Sequence, residues 1–457
     1  MTANEDDACT TPAPLLQAER LLSIQSHVVS GYVGNRAGTF PLQLLGYDVD
    51  VINTVQHCNH AGYGYFEGST ATSDQLEAIF RGLDRNGLAS WSKVLTGYTP
   101  GASGLNVVSR EICKLKERAR STFPPGEVIY LLDPVMGDIG KGLYVGRDCE
   151  AAYRQLLKQA TITTPNQFEI ELLTGCKIDS ISSLYRAMNI LHSSPYSVPN
   201  VAISSIPLAR SVVESLNLGA APPEYTSLLD DAKGIELSRN HKEGPTVLLC
   251  FASTKTADDE MPLTYAFALP LIEGYFSGVG DLFSALVLGF YGKGISAASD
   301  LTASHMGCPA SDEAPIIDQE STARVAVTAR LSPFAAAVSK ALMGVQLILL
   351  KTHLWSLRMA EESKGKRSQT KDSECFEAPE DEDCLPSDPE LDTLPPNLVS
   401  EGASLRPTRT ARRMRMRELR IVQEKYTLLK LAEEEHAGWP GTRLDWTSLL
   451  QLTQGAR

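Results

Sequence analysis

The chain has 457 residues, a formal net charge of -13 and 43% hydrophobic residues. The apolar content suffices for a large buried core in one to three domains, and the acidic balance argues against general nucleic-acid binding, which needs a basic surface. The longest apolar run, within 335–350, is too short and too interrupted by polar residues to predict a membrane span. The nine cysteines are scattered without a Cys-x-x-Cys pair, and the acidic N-terminus does not predict a secretory signal. Together these features favour a cytosolic location, with the nucleus as an alternative.

Short apolar segments alternate with helix-like segments along most of the chain. Residues 1–17 are polar and predict a disordered tail. Strands are predicted at 21–24, 49–55, 93–96, 127–132, 161–164, 201–205, 247–253 and 263–269. The intervening helices, among them 73–86 and 103–120, make β–helix–β units. Such units build parallel sheets whose ligands bind at the carboxyl ends of the strands.

The stretch 276–290, FSGVGDLFSALVLGF, has the clearest chemical pattern. Gly278 and Gly280 precede an apolar helical segment opened by Asp281, so unpaired backbone N–H groups at the helix start predict an anion site. A carboxylate beside that site can accept the proton of an attacking hydroxyl. Asp is also a common N-cap, and on this stretch alone capping and catalysis are equally supported.

Polar residues at other strand ends have similar alternatives. Ser26 is suited to a substrate contact or to local backbone hydrogen bonding, and Tyr98 to ring stacking or to ordinary packing. Asp133 and Asp138 follow a strand, where carboxylates can bind a cation or form a turn.

Residues at the start of one helix and in one loop complete the candidates. Asn166 and Glu169 begin a helix, so capping competes there with a functional role. His57 and His60 have the spacing of a metal pair, but no carboxylate lies near them in the sequence, which favours a polar loop.

The second half of the chain contains insertions of unusual composition. Insertions are predicted at about 207–245 and 298–324, and a long helix follows the second of them at 333–354. The segment 356–408 is predicted as a disordered acidic loop, since 372–392 has many acids and no Lys or Arg. The Arg-rich start of 409–435 favours a solvated helix that completes the domain over nucleic-acid binding, and 436–457 is predicted as a tail.

In combination, these stretches resemble the pyridoxal kinases, the ATP-dependent vitamin B6 kinases of the ribokinase-like superfamily. The resemblance covers about 21–354 and a short later segment, in the family's order, with insertions typical of a fungal-type member. It is carried by 23–37 (SIQSHVVSGYVGNRA), 59–63 (NHAGY), 95–99 (LTGYT), 133–138 (DPVMGD), 164–169 (TPNQFE), 280–283 (GDLF) and 418–423 (ELRIVQ).

The resemblance implies a three-layer α/β/α ribokinase-like fold and phosphorylation of the 5′-hydroxyl of pyridoxal, and also of pyridoxine and pyridoxamine. It implies ATP, Mg²⁺ and a monovalent cation, K⁺ or Na⁺, as cofactors, and a homodimer that binds neither nucleic acid nor membrane.

The family's residue roles carry over by position. Substrate contacts are implied for Ser26, Ala61, Tyr98 and Asp281, and catalysis for Asp281 as base with Gly278, Val279 and Gly280 as anion hole. Nucleotide contacts are implied for Asp133, Asn166, Glu169, Ser204, Ser205 and Val279, and metal contacts for Asp133, Asp138, Thr164 and Glu169, with Thr164 and Ser204 near the monovalent cation.

Two positions depart from the family's pattern. Ala61 and Val279 stand where many members have Thr, so one hydroxyl contact to substrate and one to phosphate are missing. A missing neutral hydrogen bond weakens binding by about 1 kcal/mol and leaves the base and the carboxylates intact. Ala61 keeps open a kinase acting on hydroxymethylpyrimidine, and a non-catalytic B6-binding protein is a further alternative.

Overall fold

The computed structural model describes residues 18–207, 213–214, 216, 218–231, 247–256, 258–272, 274–304, 331–368, 409–434 and 437–454. The predicted N-terminal tail, and much of the predicted insertions and of the acidic loop, lie outside the described residues.

A ten-stranded sheet organises the described chain. In chain order its strands are β1 (Arg20–Val28), β2 (Asp48–His57), β3 (Gly68–Thr70), β4 (Lys93–Thr96), β5 (Ile129–Leu132), β8 (Ile162–Thr163), β9 (Asn200–Ile206), β10 (Val247–Thr254), β11 (Leu263–Pro270) and β12 (Thr442–Arg443). Their spatial order is β12-β11-β10-β9-β8-β5-β4-β1-β2-β3. Pairing is parallel from β9 to β2 and antiparallel at both edges. β6 (Gly137–Asp138) and β7 (Gly142–Leu143) form a separate hairpin.

Helices connect and cover the strands. They are α1 (Asn35–Leu44), α2 (Ser73–Arg85), α3 (Ala102–Arg120), α4 (Cys149–Leu157), α5 (Gln167–Thr174), α6 (Ile181–His192), α7 (Pro223–Asp231), α8 (Val279–Ser304), α9 (Pro333–Ser368), α10 (Arg409–Met416), α11 (Lys425–Glu433) and α12 (Trp446–Gln454), with a 3₁₀ turn at Ala61–Tyr63.

The apolar core lies on both faces of the sheet, because successive strand residues point to opposite sides. In β1, Leu22 and Ile24 join a cluster with α2 to α6, whereas Leu21 joins a second cluster with α1, α8 and α9. The predicted three-layer arrangement around a mostly parallel sheet is therefore confirmed.

Helix α9 shows why apolar length alone does not identify a membrane span. Its segment Pro333–Met359 is long and apolar enough to cross a bilayer, so the prediction that this region is too short is wrong. However, 78% of its most apolar window is buried inside the protein, where it packs against α8, β10 and β11. This burial is that of the core helix of a globular domain.

The C-terminal residues differ from the prediction of a tail at 436–457. β12 pairs with β11, and Trp439 and Trp446 are 1% and 3% exposed. The indole Nε1–H of Trp439 donates to the Ala268 carbonyl at 2.7 Å. Two large aromatic side chains therefore bind this segment to the sheet, although a two-residue strand carries no periodicity that a sequence pattern could reveal.

Other element boundaries in the structure also differ from the predicted ones. α9 continues to Ser368, into the acidic loop predicted at 356–408, and α8 continues to Ser304, into the insertion predicted from 298. The single C-terminal helix predicted at 409–435 is two helices, α10 and α11. The cap of α2 is Thr72, whose side chain accepts from the backbone N–H of Gln75.

Candidate active site

The predicted site residues lie where the parallel strands end. Asp133 follows β5, Thr164 follows β8, and Ser205 is the next-to-last residue of β9. Helix α8 begins beside these ends, and its contacts with α1, β4 and α9 hold it under the sheet edge. This is the edge at which doubly wound sheets bind ligands.

The loop before α8 has a backbone that only glycine permits. Gly278 has a φ of 80°, and a Cβ there would lie 1.9 Å from the Tyr32 carbonyl oxygen. The loop can therefore pack directly on the chain after β1. Helix α8 begins at Val279, so its first N–H groups, including those of Val279 and Gly280, have no partner within the helix and remain available to an anion.

Asp281 lies in the first turn of α8 and is not the N-cap that the sequence left possible. Its carboxylate accepts a hydrogen bond from the backbone N–H of Gly34. The residue keeps some contact with solvent, yet desolvation of the carboxylate raises its pKa, while the Gly34 N–H and the nearby His60 ring oppose that rise. A carboxylate with a raised pKa beside free helix N–H groups is suited to proton transfer at an anion.

A short hydrogen-bonded chain connects α8 to two strand ends. The Ser284 hydroxyl donates to Asp133 Oδ2 at 2.9 Å, and its oxygen is 2.8 Å from Thr164 Oγ1. Asp133 is 5% exposed. Burial and the neighbouring Asp281 charge raise the pKa of Asp133, and the Ser284 hydrogen bond opposes them. Asp133, Thr164 and Asp281 are thus brought together.

Asn166 and Glu169 form a complete capping box on α5. The Asn166 side chain accepts from the Glu169 N–H, and Glu169 Oε2 accepts from the Asn166 N–H, both at 2.9 Å. Glu169 Oε1 also accepts from the Met136 N–H at 3.0 Å. Burial and the charge of Asp133 nevertheless raise the pKa of Glu169. Capping is therefore present, and it leaves a buried carboxylate next to Asp133.

The β6–β7 hairpin is joined to this cluster through its backbone. The amide of Asn166 donates to the Gly137 carbonyl at 2.9 Å, and half-buried Asp138 accepts from the Ile139 N–H at 2.9 Å. Among the described residues, no group of three or more His, Cys, Asp or Glu side chains forms a metal site by itself.

The end of β9 has an unusual backbone. The Ser204 N–H donates to the Pro165 carbonyl at 3.2 Å, next to a bridge between Ser204 and Asn166. Ser205 is exposed and has a φ of 58°. A residue other than glycine with a positive φ of this kind is strained by about 1–3 kcal/mol, and such strain is common at functional sites.

The residues expected to contact substrate lie on three different loops. Ser26, inside β1 and 8% exposed, packs against Gly34, where a Cβ would lie 2.3 Å from Ser26 Oγ. Ala61 is exposed in the 3₁₀ turn. Tyr98 is fixed by its carbonyl, which accepts from Thr54 Oγ1 at 2.6 Å. Ser26 is thus joined to Asp281 through Gly34, whereas no described contact joins the Tyr98 ring to them.

Three further residues also reach this site. The sequence favours a polar loop for His60 and indicates no function for Ser277 or Glu418. The Ser277 hydroxyl lies 3.2 Å from His60 Nδ1, and Glu418 Oε1 lies 2.9 Å from His60 Nε2. The signal was present in the 59–63 and 418–423 motifs, but no sequence pattern indicates that segments so far apart meet.

Comparison with known proteins places this geometry in a family. Residues 109–216 match the family model described as phosphomethylpyrimidine kinase. The pyridoxal kinase of Arabidopsis thaliana is 38% identical over 275 residues, which are 60% of this chain and 74% of that protein. The pyridoxal kinase of Homo sapiens is 34% identical over 278 residues, 60% of this chain and 78% of that protein.

Solved structures agree. Pyridoxal kinase from Leishmania donovani in complex with ADP and pyridoxamine superposes with a TM-score of 0.59 and 25% identity, covering 93% of this chain and 100% of that chain. Its complex with ADP and pyridoxine gives a TM-score of 0.58 with 93% and 99% covered. The fold is therefore ribokinase-like, and the chain belongs to the pyridoxal kinase family.

Proposed function

We propose that this chain transfers the γ-phosphoryl group of ATP to the 5′-hydroxyl of pyridoxal, giving pyridoxal 5′-phosphate in vitamin B6 salvage, and that it also accepts pyridoxine and pyridoxamine. The observation that carries the proposal is the position of Asp281. Its carboxylate lies in the first turn of α8, beside free backbone N–H groups and bonded to Gly34, which in turn packs on Ser26. The family relationship supports the same reaction.

The chain's own groups account for each part of the transfer. Asp281 accepts the proton of the 5′-hydroxyl as the hydroxyl oxygen attacks the γ-phosphorus of ATP, and the bond from that phosphorus to the bridging oxygen breaks so that ADP leaves. The N–H groups of the 278–280 loop stabilise the negative charge on the transferred group. Ser26, Ala61 and Tyr98 are proposed to hold the pyridine ring, and Asn166, Ser204, Ser205 and Val279 to hold the nucleotide phosphates.

The buried carboxylates fit a cation. Burial and mutual charge raise the pKa values of Asp133 and Glu169, and among the described residues neither of them forms an ion pair with a basic side chain. A positive charge placed between them would relieve that repulsion. We propose that Asp133, Asp138 and Glu169 hold Mg²⁺, and that Thr164 and Ser204 lie by a K⁺ or Na⁺ ion. Bound Mg²⁺ would neutralise charge on the ATP phosphates.

A kinase acting on hydroxymethylpyrimidine is the second candidate. The family model matched over 109–216 is described as phosphomethylpyrimidine kinase, and Ala61 lacks the hydroxyl typical of pyridoxal kinases. The match over 74% of a pyridoxal kinase favours pyridoxal.

Family resemblance also supports a homodimer, and the free state of the described cysteines supports a cytosolic location.

Product formation tests the proposal. Purified protein with MgATP is given pyridoxal or hydroxymethylpyrimidine, and the phosphorylated products are quantified chromatographically. We expect pyridoxal 5′-phosphate to form with the higher kcat/KM. A higher kcat/KM for the pyrimidine would favour the second candidate, and tight pyridoxal binding without ADP formation would indicate a binding protein.

A further inference from the structure

Glu418 joins the C-terminal part of the chain to the loops around Asp281. It lies between α10 and α11, with 13% of its side chain exposed. Its Oε2 accepts from the backbone N–H of Tyr32, and its Oε1 is 2.9 Å from both His60 Nε2 and the Tyr63 hydroxyl. The carboxylate thus has three partners on two loops.

The loop after β1 is shaped to receive this carboxylate. Gly31 has a φ of 100°, and a Cβ there would lie 2.5 Å from Glu418 Oε1. Only glycine therefore leaves room for the carboxylate and adopts this backbone without strain. Burial raises the pKa of Tyr63, and the charge of Glu418 raises it further. The phenol therefore stays protonated and donates its hydrogen bond to Glu418.

The hydrogen bonds of His60 define its tautomer. The Gly62 N–H donates to His60 Nδ1 at 3.2 Å, so Nδ1 is an acceptor and the proton is on Nε2, which donates to Glu418. The Ser277 hydroxyl then donates to Nδ1 at 3.2 Å. Because Ser277 precedes Gly278, Glu418 is connected through His60 to the anion loop.

The same carboxylate reaches the anion loop by a second route. Its partner Tyr32 has its carbonyl oxygen packed against Gly278. The first route ends at the Ser277 side chain and the second at the Gly278 backbone, immediately before the N–H groups that face the anion. In addition, Gly34, two residues after Tyr32, donates to Asp281.

We propose that Glu418 is a positioning residue for phosphoryl transfer. Through His60 and Tyr32 it fixes the 277–280 loop and the Gly34 N–H at the separation that Asp281 requires. This inference rests on the proposed function, since it assigns Glu418 to the transfer at that site. It gives the segment that follows α10 a role in catalysis that acts through the 277–280 loop.

A purely structural role makes a different prediction. If Glu418 only anchored the C-terminal segment, its loss would lower the melting temperature and leave kcat unchanged in the folded protein. Glu424 offers a matched comparison, because it belongs to the same segment and pairs with Lys351 Nζ at 2.6 Å. Its carboxylate has no described contact with the loops around Asp281.

The test compares Glu418→Gln with Glu424→Gln in the full chain. Glutamine keeps the shape, but its amide has one acceptor oxygen and one NH₂ group, so it cannot accept from Tyr32, His60 and Tyr63 together. We expect kcat for pyridoxal to fall about 10- to 100-fold in Glu418→Gln, because small displacements of positioned groups have effects of this size. The KM for ATP should stay at the wild-type value, and Glu424→Gln should keep wild-type kcat. Unchanged kcat in folded Glu418→Gln would overturn the proposal.

A second measurement does not depend on turnover or on a variant that folds. The ¹⁵N chemical shifts of His60 in the wild-type protein should show a protonated Nε2 and an unprotonated Nδ1. A ring protonated on Nδ1 would contradict the geometry from which Glu418 acts. If the wild type formed no pyridoxal 5′-phosphate, the proposed function would fail, while this signal would still decide whether Glu418 fixes the ring.

Discussion

Two regions of the sheet bury polar groups in opposite ways. In the antiparallel region around β10 and β11, Trp446 Nε1–H donates to Thr264 Oγ1 at 3.0 Å, Thr264 lies 3.0 Å from Ser253 Oγ, and Ser253 lies 2.8 Å from His192 Nε2. The other nitrogen of His192 donates to the Val198 carbonyl at 2.7 Å. Each group in this series donates to the next, from Trp446 through Thr264 and Ser253 to His192, so each hydroxyl both donates one hydrogen bond and accepts one. Polar groups satisfied in this way stabilise the fold.

At the carboxyl ends of the central parallel strands, three carboxylates lie close together instead. Asp281 raises the pKa of Asp133, and Asp133 raises that of Glu169. Repulsion of this kind lowers stability, and a bound cation would relieve it. The comparison indicates which polar clusters serve the fold and which serve a ligand: a closed chain of donors and acceptors marks the first, and uncompensated like charge marks the second.

The strongest test of this contrast is Asp281→Asn. We expect kcat to fall by about 10² to 10⁴, because the amide cannot accept the hydroxyl proton. The melting temperature should stay the same or rise, since a partly desolvated charge near Asp133 is removed. Asp74→Asn is the control. Asp74 is also an acid in the first turn of a helix, α2, but α2 packs on the face of the sheet opposite to α8. Equal activity of wild type and Asp281→Asn would reduce Asp281 to a helix-dipole partner.

For the polar chain in the antiparallel region of the sheet, the prediction concerns stability and pH. Burial lowers the pKa of His192 to about 4, against 6.5 when unfolded. Between these values the unfolded chain binds more protons, so the free energy of unfolding falls as the pH drops from about 6.5 to about 4, by up to about 3 kcal/mol. Denaturant titrations at several pH values of wild type and His192→Gln isolate this term. Parallel curves for the two proteins would contradict it.

A smaller effect is expected at Ala61. Adding the family's hydroxyl in Ala61→Thr should lower the KM for pyridoxal about fivefold, which corresponds to one hydrogen bond of about 1 kcal/mol. The KM for ATP should not change. Ala61→Val, which has the same shape without the hydroxyl, should not reproduce the gain. An equal gain from both substitutions would indicate packing.

The smallest effect is expected from deleting 372–392, which lies outside the described residues. Its acidic, proline-containing sequence predicts no part in either polar cluster. Activity and melting temperature should match those of the full chain. A large loss of either would show that this segment contributes to the folded enzyme.

Much of this fold could be predicted because local pattern determines it. The eight strands predicted from the sequence correspond to β1, β2, β4, β5 and β8 to β11, which lie in apolar segments flanked by turn residues. The glycines next to Asp281 likewise indicate a helix start. The capping box of Asn166 and Glu169 is likewise a local signal that the structure reproduces. These features depend on neighbours within a few positions.

The rest depends on tertiary contact. His192, Ser253 and Thr264 are ordinary residues until β10 and β11 align them, and Glu418 is 358 positions from His60. The two residues of β12 pair only because Trp439 and Trp446 fix the chain around them. Periodicity carries no information about which distant segments meet, so neither the polar chain nor the Glu418 contacts could be found that way.

The lateness of Glu418 and β12 in the sequence has a consequence for biosynthesis. When a ribosome has produced everything through α9, the outer edge of β11 is still unpaired and Tyr32, 386 residues before Glu418, has no carboxylate to bind. Domains usually begin to fold from the N-terminal side during translation, and an open strand edge favours wrong association. The nascent kinase therefore remains incomplete until the region beyond 409 emerges, pairs with β11 and brings Glu418 to Tyr32.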